Sequence, residues 1–160
     1  MLPITDGKGL SAQETSEIEM GNRLAAVLRA GRGVISNNQA LINDANIGDK
    51  GFTREVFYSK AIEAYLEKNG EHPLPEGLDP ESRSITETQI DAMVEVIEEN
   101  QEIINAEDLE FKGFIPAVFA RLANEKFGED MADKASIKVT APKELVRNRK
   151  ARPDAWENEI

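Results

Sequence analysis

The chain has 160 residues, a net charge of −11, 40% apolar and 31% charged residues, no cysteine and one histidine. That length suits one domain, and the apolar fraction is enough for a packed core. Disulfides, thiolate metal sites, a thiol nucleophile and haem attachment through C-x-x-C-H are excluded, a general nucleic-acid surface is disfavoured, and no apolar run reaches membrane-spanning length.

Residues 1–11 contain Pro3, Gly7 and Gly9 and read as a flexible segment preceding one domain over 12–160. Ser11 with Glu14 three residues on has the spacing of a capping box, and a helical pattern then runs to about Asn43. Val27/Leu28, Val34/Ile35 and Leu41/Ile42 recur every seven residues. This heptad-like stripe, on a rod roughly 46 Å long at about 1.5 Å per residue, suggests a homodimer seam or a signalling stalk. Gly31 and Gly33 mark a close helix contact or a break.

Residues 44–52 form a loop with Gly48 and Gly51, and Thr53 caps a helix over roughly 54–69 that stops at Asn69-Gly70. A Pro-rich connection occupies 70–84, and a third helix covers about 85–105 with Ile90, Met93, Ile97 and Ile104 on one face. A fourth helix covers about 115–127, with Pro116 in its first turn. Ser136–Thr140 is alternating and β-branched and reads as a strand. The remainder is irregular, with a short helix near Pro153–Trp156.

The most informative feature is an internal repeat. A shift of 62 residues overlays 34–57 on 96–119 without a gap, with 11 identities in 24 positions. The apolar identities are Val34/Val96, Ile35/Ile97, Ile42/Ile104, Phe52/Phe114, Val56/Val118 and Phe57/Phe119; the others are Asn38/Asn100, Gln39/Gln101, Asn43/Asn105, Lys50/Lys112 and Gly51/Gly113. Each unit reads as helix, loop, Lys-Gly-Phe, helix, and two such hairpins can pair about a pseudo-two-fold axis. The repeated amides suit two roles: bonding loop carbonyls and capping helix ends, or joining Lys50 and Lys112 in presenting a cation and backbone N–H groups to an anion.

Charge is uneven. Residues 87–110 carry acids and no Lys or Arg, whereas Lys134, Lys138, Lys143, Arg147, Arg149, Lys150 and Arg152 face only Glu144 within 134–152. The basic tail either clamps on the acidic helices or takes an anionic ligand, through Arg147, Arg149 and Arg152 with Trp156 covering an apolar edge. The acids at 98, 99, 102, 107 and 108, and the segment Asp44–Asp49, lack the order of a calcium loop. His72 lies in a Gly-Glu-His-Pro-Leu-Pro connection, where an isolated histidine is ordinarily solvated. No nucleophile–base constellation or metal site is legible, so no catalytic residue is assigned.

Four stretches carry a resemblance: Asn38-Gln39-Ala40-Leu41-Ile42-Asn43-Asp44; Gly48-Asp49-Lys50-Gly51-Phe52; residues 111–119, Phe-Lys-Gly-Phe-Ile-Pro-Ala-Val-Phe; and Arg147-Asn148-Arg149 on to Pro153-Asp154-Ala155-Trp156-Glu157. In these the chain, over roughly residues 15–160, resembles the bacterial PAS-like extracytoplasmic sensor domain family, some members of which carry c-type haem. The resemblance implies long N-terminal helices beside a PAS-like sheet, ahead of kinase, cyclase or chemoreceptor output modules. It implies a periplasmic location, with the family's signal peptide lacking from this sequence. Relatives attach haem through C-x-x-C-H downstream of Pro-Asp-Ala-Trp-Glu. Here the sequence stops at Ile160 without it, as expected of a trimmed or shortened member.

The expected fold is therefore α+β and mainly helical, with a long first helix, two repeated hairpins and a small β element, a partial PAS-like sensor domain. The expected function is a non-catalytic sensory or ligand-binding module that takes a small anionic ligand at Asn38, Gln39, Lys50, Asn100, Gln101, Lys112, Arg147, Arg149, Arg152 and Trp156. It would be a homodimer with no cofactor of its own, no nucleic-acid partner and no membrane insertion. The alternatives are a redox or gas sensor holding non-covalent haem through His72, and an adaptor docking a partner on the acidic face.

Overall fold

The structure is a computed structural model and describes residues 12–107 and 111–140. Every described element is a helix. Helix α1, Ala12–Asn37, ends where Asn38 turns its amide back onto the Val34 carbonyl at 2.7 Å, and the single turn α2, Gln39–Ile42, restarts beyond it. The expected continuous helix to Asn43 is therefore interrupted, because an asparagine amide competes with the backbone for helical carbonyls.

Helix α3, Arg54–Asn69, is the element the sequence delimits best. The Thr53 hydroxyl accepts the Val56 N–H at its start. At its end Gly70, at φ 80°, donates to the Leu66 carbonyl. Helix α4, Pro80–Glu99, begins earlier than the apolar pattern alone indicates. Pro80 occupies a first-turn position that needs no donor, and Asp79 accepts the Ser82 N–H at 2.9 Å. Asn100 repeats the Asn38 device, donating to the Val96 carbonyl at 2.7 Å before the short turn α5, Gln101–Ile104.

Helix α6, Pro116–Thr140, overturns the α+β expectation. Ser136–Thr140, read as a strand, is the last part of this helix, and the described residues contain no strand and no PAS-like sheet. A strand needs a neighbour to satisfy its backbone groups, whereas a helix already formed extends residue by residue with its own hydrogen bonds. The weak β preference of a few branched residues does not outweigh that. The segments 1–11 and 141–160, with Ser11, Arg147, Arg149, Arg152, Trp156 and the short helix near Pro153, lie outside the described residues.

The four long helices form two hairpins, α1 with α3 and α4 with α6. Across the axis α1 also packs on α6, α3 on α4, and α1 on α4, as two-fold-related hairpins require. The heptad-like stripe lies inside this bundle: Val27, Val34, Ile35 and Ile42 join Met93, Val96, Ile97 and Ile104 in one core. It is therefore not an open seam for a second copy. Phe57 and Phe119, equivalent residues and both fully buried, meet at the centre with ring centroids 5.4 Å apart. Gly31 explains how closely the halves approach: a Cβ there would sit 2.9 Å from the Met93 sulfur and 3.2 Å from the Phe119 ring. Gly33 has no such neighbour.

Candidate functional site

The repeated polar residues converge where the two hairpins meet, and they act in trans. The Gln39 side chain donates to the Phe114 carbonyl at 2.8 Å, and Gln101 donates to the Phe52 carbonyl at 2.9 Å. The Asn105 carbonyl oxygen accepts the Lys50 backbone N–H at 2.8 Å, and Asn43 accepts that of Lys112 at 3.0 Å. Within each half the asparagine amide donates to the glutamine oxygen, at 3.3 Å for Asn43–Gln39 and 3.1 Å for Asn105–Gln101. That internal bond orients the pair, leaving one donor and one acceptor for the opposite Lys-Gly-Phe turn.

Each turn thus offers its lysine N–H and its phenylalanine C=O to the other half. Gly51 and Gly113, at φ 68° and 73°, supply the left-handed residue that lets both groups face one way. Phe52 and Phe114 then point into the core, each edge-on to the phenylalanine of its own repeat at 6.3 and 6.4 Å. Each copy of the repeat thus fastens the other.

The lysine side chains complete the site. Lys50, only 8% exposed, donates from Nζ to the Ile47 and Gly48 carbonyls of its own loop. Lys112 donates from Nζ to the Ile104 carbonyl at 2.7 Å, at the end of α5. Burial, and then the neighbouring Lys50 ammonium, push Lys112 down to about 8, with Asp44 partly opposing. Among the described residues neither ammonium has a carboxylate within ion-pair distance. Two cations therefore lie side by side with carbonyls as partners.

Of the predicted site residues, Gln39, Lys50, Gln101 and Lys112 are brought together here. Asn38 and Asn100 sit beside them but bond only their own helices. Asn43 and Asn105 do cap helix ends, closing α2 and α5 with their backbone N–H groups, and their side chains also hold the opposite turn. Their signal was the repeated Gln-x-x-x-Asn spacing, which stacks the two amides one helical turn apart.

Three of the N–H groups expected to be free at these turns are occupied: Lys50 and Lys112 donate to asparagines and Gly51 donates to Asp49 at 2.9 Å. His72 accepts the Leu74 N–H on Nδ1 at 3.0 Å, a local turn bond. Asp44 likewise accepts the Asn46 N–H. The acidic face of α4 is partly paired: Glu98 meets Arg54 at 2.8 Å, and Glu95 and Glu99 meet Lys126 at 3.4 and 3.0 Å. Among the described residues no three acidic or histidine side chains are grouped to hold a metal, and no helix is long and apolar enough to cross a membrane. No family model, curated protein or solved structure matches the chain.

Proposed function

We propose that this chain is a non-catalytic sensory module of bacterial signal transduction, acting outside the cytoplasm, and that it responds to a small anion at the Lys50–Lys112 pair. One observation carries the reading: the two repeats bring two ammonium groups together without a carboxylate between them. An anion beside them would relieve their mutual repulsion and restore the full charge of Lys112. Because one lysine comes from each half, the same anion would tighten the junction between the hairpins, which is how occupancy would become a mechanical signal. The resemblance of residues 38–44, 48–52, 111–119 and 147–157 to the bacterial sensor family is what supports the sensory part of the reading. The lack of any legible nucleophile, base and oxyanion arrangement supports its non-catalytic part.

The test is thermal unfolding in inorganic phosphate against chloride at equal ionic strength, for the wild-type chain and for Lys112→Met. Phosphate raises the Tm of the wild type and leaves the variant unchanged. Equal responses in both chains would refute the assignment and leave the lysines as structural fasteners.

A further inference from the structure

A second place in the molecule has the features of a ligand site, and it is independent of the repeat axis. On the outer side of the first hairpin, α1 and α3 diverge to leave a groove of about 310 Å³. Small residues line it, Ala26, Ala30 and Gly33 from α1 and Ala64 from α3, together with Tyr65 and the amides of Asn37 and Asn69. Arg29 and Lys68 border it, one from each helix. Among the described residues neither forms an ion pair.

The setting makes those two cations unusual. The chain carries −11 overall, yet residues 20–43 contain Arg23, Arg29 and Arg32 and no acid at all. Arg23 is engaged elsewhere, donating to the Pro73 carbonyl and lying 3.8 Å from Glu71. The α1 wall is thus basic without a neighbouring acid, while the α3 wall also carries Glu63 and Glu67 beside Ala64 and Lys68; the two charged side chains that line the groove itself are both cations, which favours an anion there. Its lining is mixed, with Ala26, Ala30, Gly33 and Ala64 supplying an apolar strip of small residues that leaves room for a short hydrocarbon. Its volume lies at the low end of the range of about 300–1,000 Å³ typical of small-molecule sites, so a compact ligand fits and a large one does not.

We propose that this groove binds a small amphiphilic carboxylate, with the carboxylate between Arg29 and Lys68 and a short hydrocarbon chain along Ala26, Gly33 and Ala64. Arginine grips a carboxylate through two parallel N–H groups, and the lysine adds a point charge. The apolar strip removes the chain from water, which a head group alone does not exploit.

Gly33 permits a test that does not depend on charge. A Cβ at this position meets no atom within 4 Å and Gly33 lines the groove, so a leucine is chosen there to fill it. Sodium hexanoate is titrated into the protein by calorimetry, with acetate and 1-hexanol as comparison probes. Hexanoate saturates a single site and binds more tightly than either of the others. Gly33→Leu keeps or raises its melting temperature, as replacing a helical glycine does, and loses hexanoate binding. The double variant Arg29→Gln/Lys68→Gln binds about tenfold more weakly or worse, the scale expected for losing charged hydrogen bonds. Hexanol binding as tightly as hexanoate would overturn the carboxylate assignment. Hexanoate affinity unchanged in Gly33→Leu, or no saturable binding at all, would overturn the site.

Discussion

The two halves of the molecule use one set of fasteners but differ where they touch. Gln39, Asn43 and the first Lys-Gly-Phe turn do for the second half what Gln101, Asn105 and the second turn do for the first, with matching distances. At the position 62 residues apart where α1 and α4 cross, however, one half has Gly31 and the other Met93, and the methionine fills the space the glycine leaves. The lysines differ as well: Lys50 is held by its own loop, whereas Lys112 reaches the end of α5. The shared residues include both the polar fasteners and most of the apolar core, Phe57 and Phe119 among them, whereas at the α1–α4 crossing the copies diverge so that one fills what the other leaves open. A duplicated hairpin can pair with itself through polar symmetry, but a dense core on the axis requires the two copies to become complementary.

The largest effect expected from breaking this arrangement comes from the aromatic pair at the centre. Phe57→Ala and Phe119→Ala should each lower unfolding free energy by about 3–5 kcal/mol in urea denaturation, the range for fully buried phenylalanines. The cross-fasteners come next. Gln39→Ala and Gln101→Ala should each cost about 1–3 kcal/mol, because each leaves a carbonyl of the other half without its donor. The two costs should be similar, and a large inequality would show that the halves are not equivalently braced.

The lysine asymmetry predicts a pH effect. Lys112 holds its proton less tightly in the folded chain than in the unfolded one, with values of about 8 and 10.5. Between these pH values the unfolded chain binds more protons, so folding becomes more favourable as pH rises, while below about pH 8 the Lys112 charge, partly desolvated and beside Lys50, opposes folding in full. The stability of the wild type minus that of Lys112→Met should therefore climb across this window, and a flat difference would contradict the account.

Smaller still is the contrast between neighbouring glycines. Gly33→Ala should stabilise α1 by up to about 1 kcal/mol, the ordinary gain in a helix, whereas Gly31→Ala should destabilise by crowding Met93 and Phe119. Arg54→Ala, which removes an exposed ion pair to Glu98, should change stability by no more than about 1 kcal/mol.

The repeat, read from eleven identities, already contained the pairing of the hairpins and the residues that meet at the axis. Helix α3 was legible to its ends because Thr53 and Gly70 are local signals. The breaks at Asn38 and Asn100 were not legible, since an asparagine in a helical pattern ends it only if its amide finds a carbonyl, and that depends on what the next turn packs against. The seven-residue stripe was read as a seam for a second copy because apolar spacing describes a buried face without saying what buries it; here the second repeat does. Ser136–Thr140 failed as a strand for a similar reason, since alternation over five residues says nothing about whether a pairing partner exists. The trans direction of the Gln and Asn bonds was also hidden, because both the local and the crossed patterns use the same residues at the same spacing. The groove between α1 and α3 left only a faint trace, the acid-free basic stretch of residues 20–43.

The most direct measurement of the central claim is the side-chain NMR titration of Lys112, with and without inorganic phosphate. The account predicts an ammonium that titrates near pH 8 in the absence of the anion and moves upward as phosphate binds. A lysine that titrates at its ordinary value near 10.5 and ignores phosphate would contradict it.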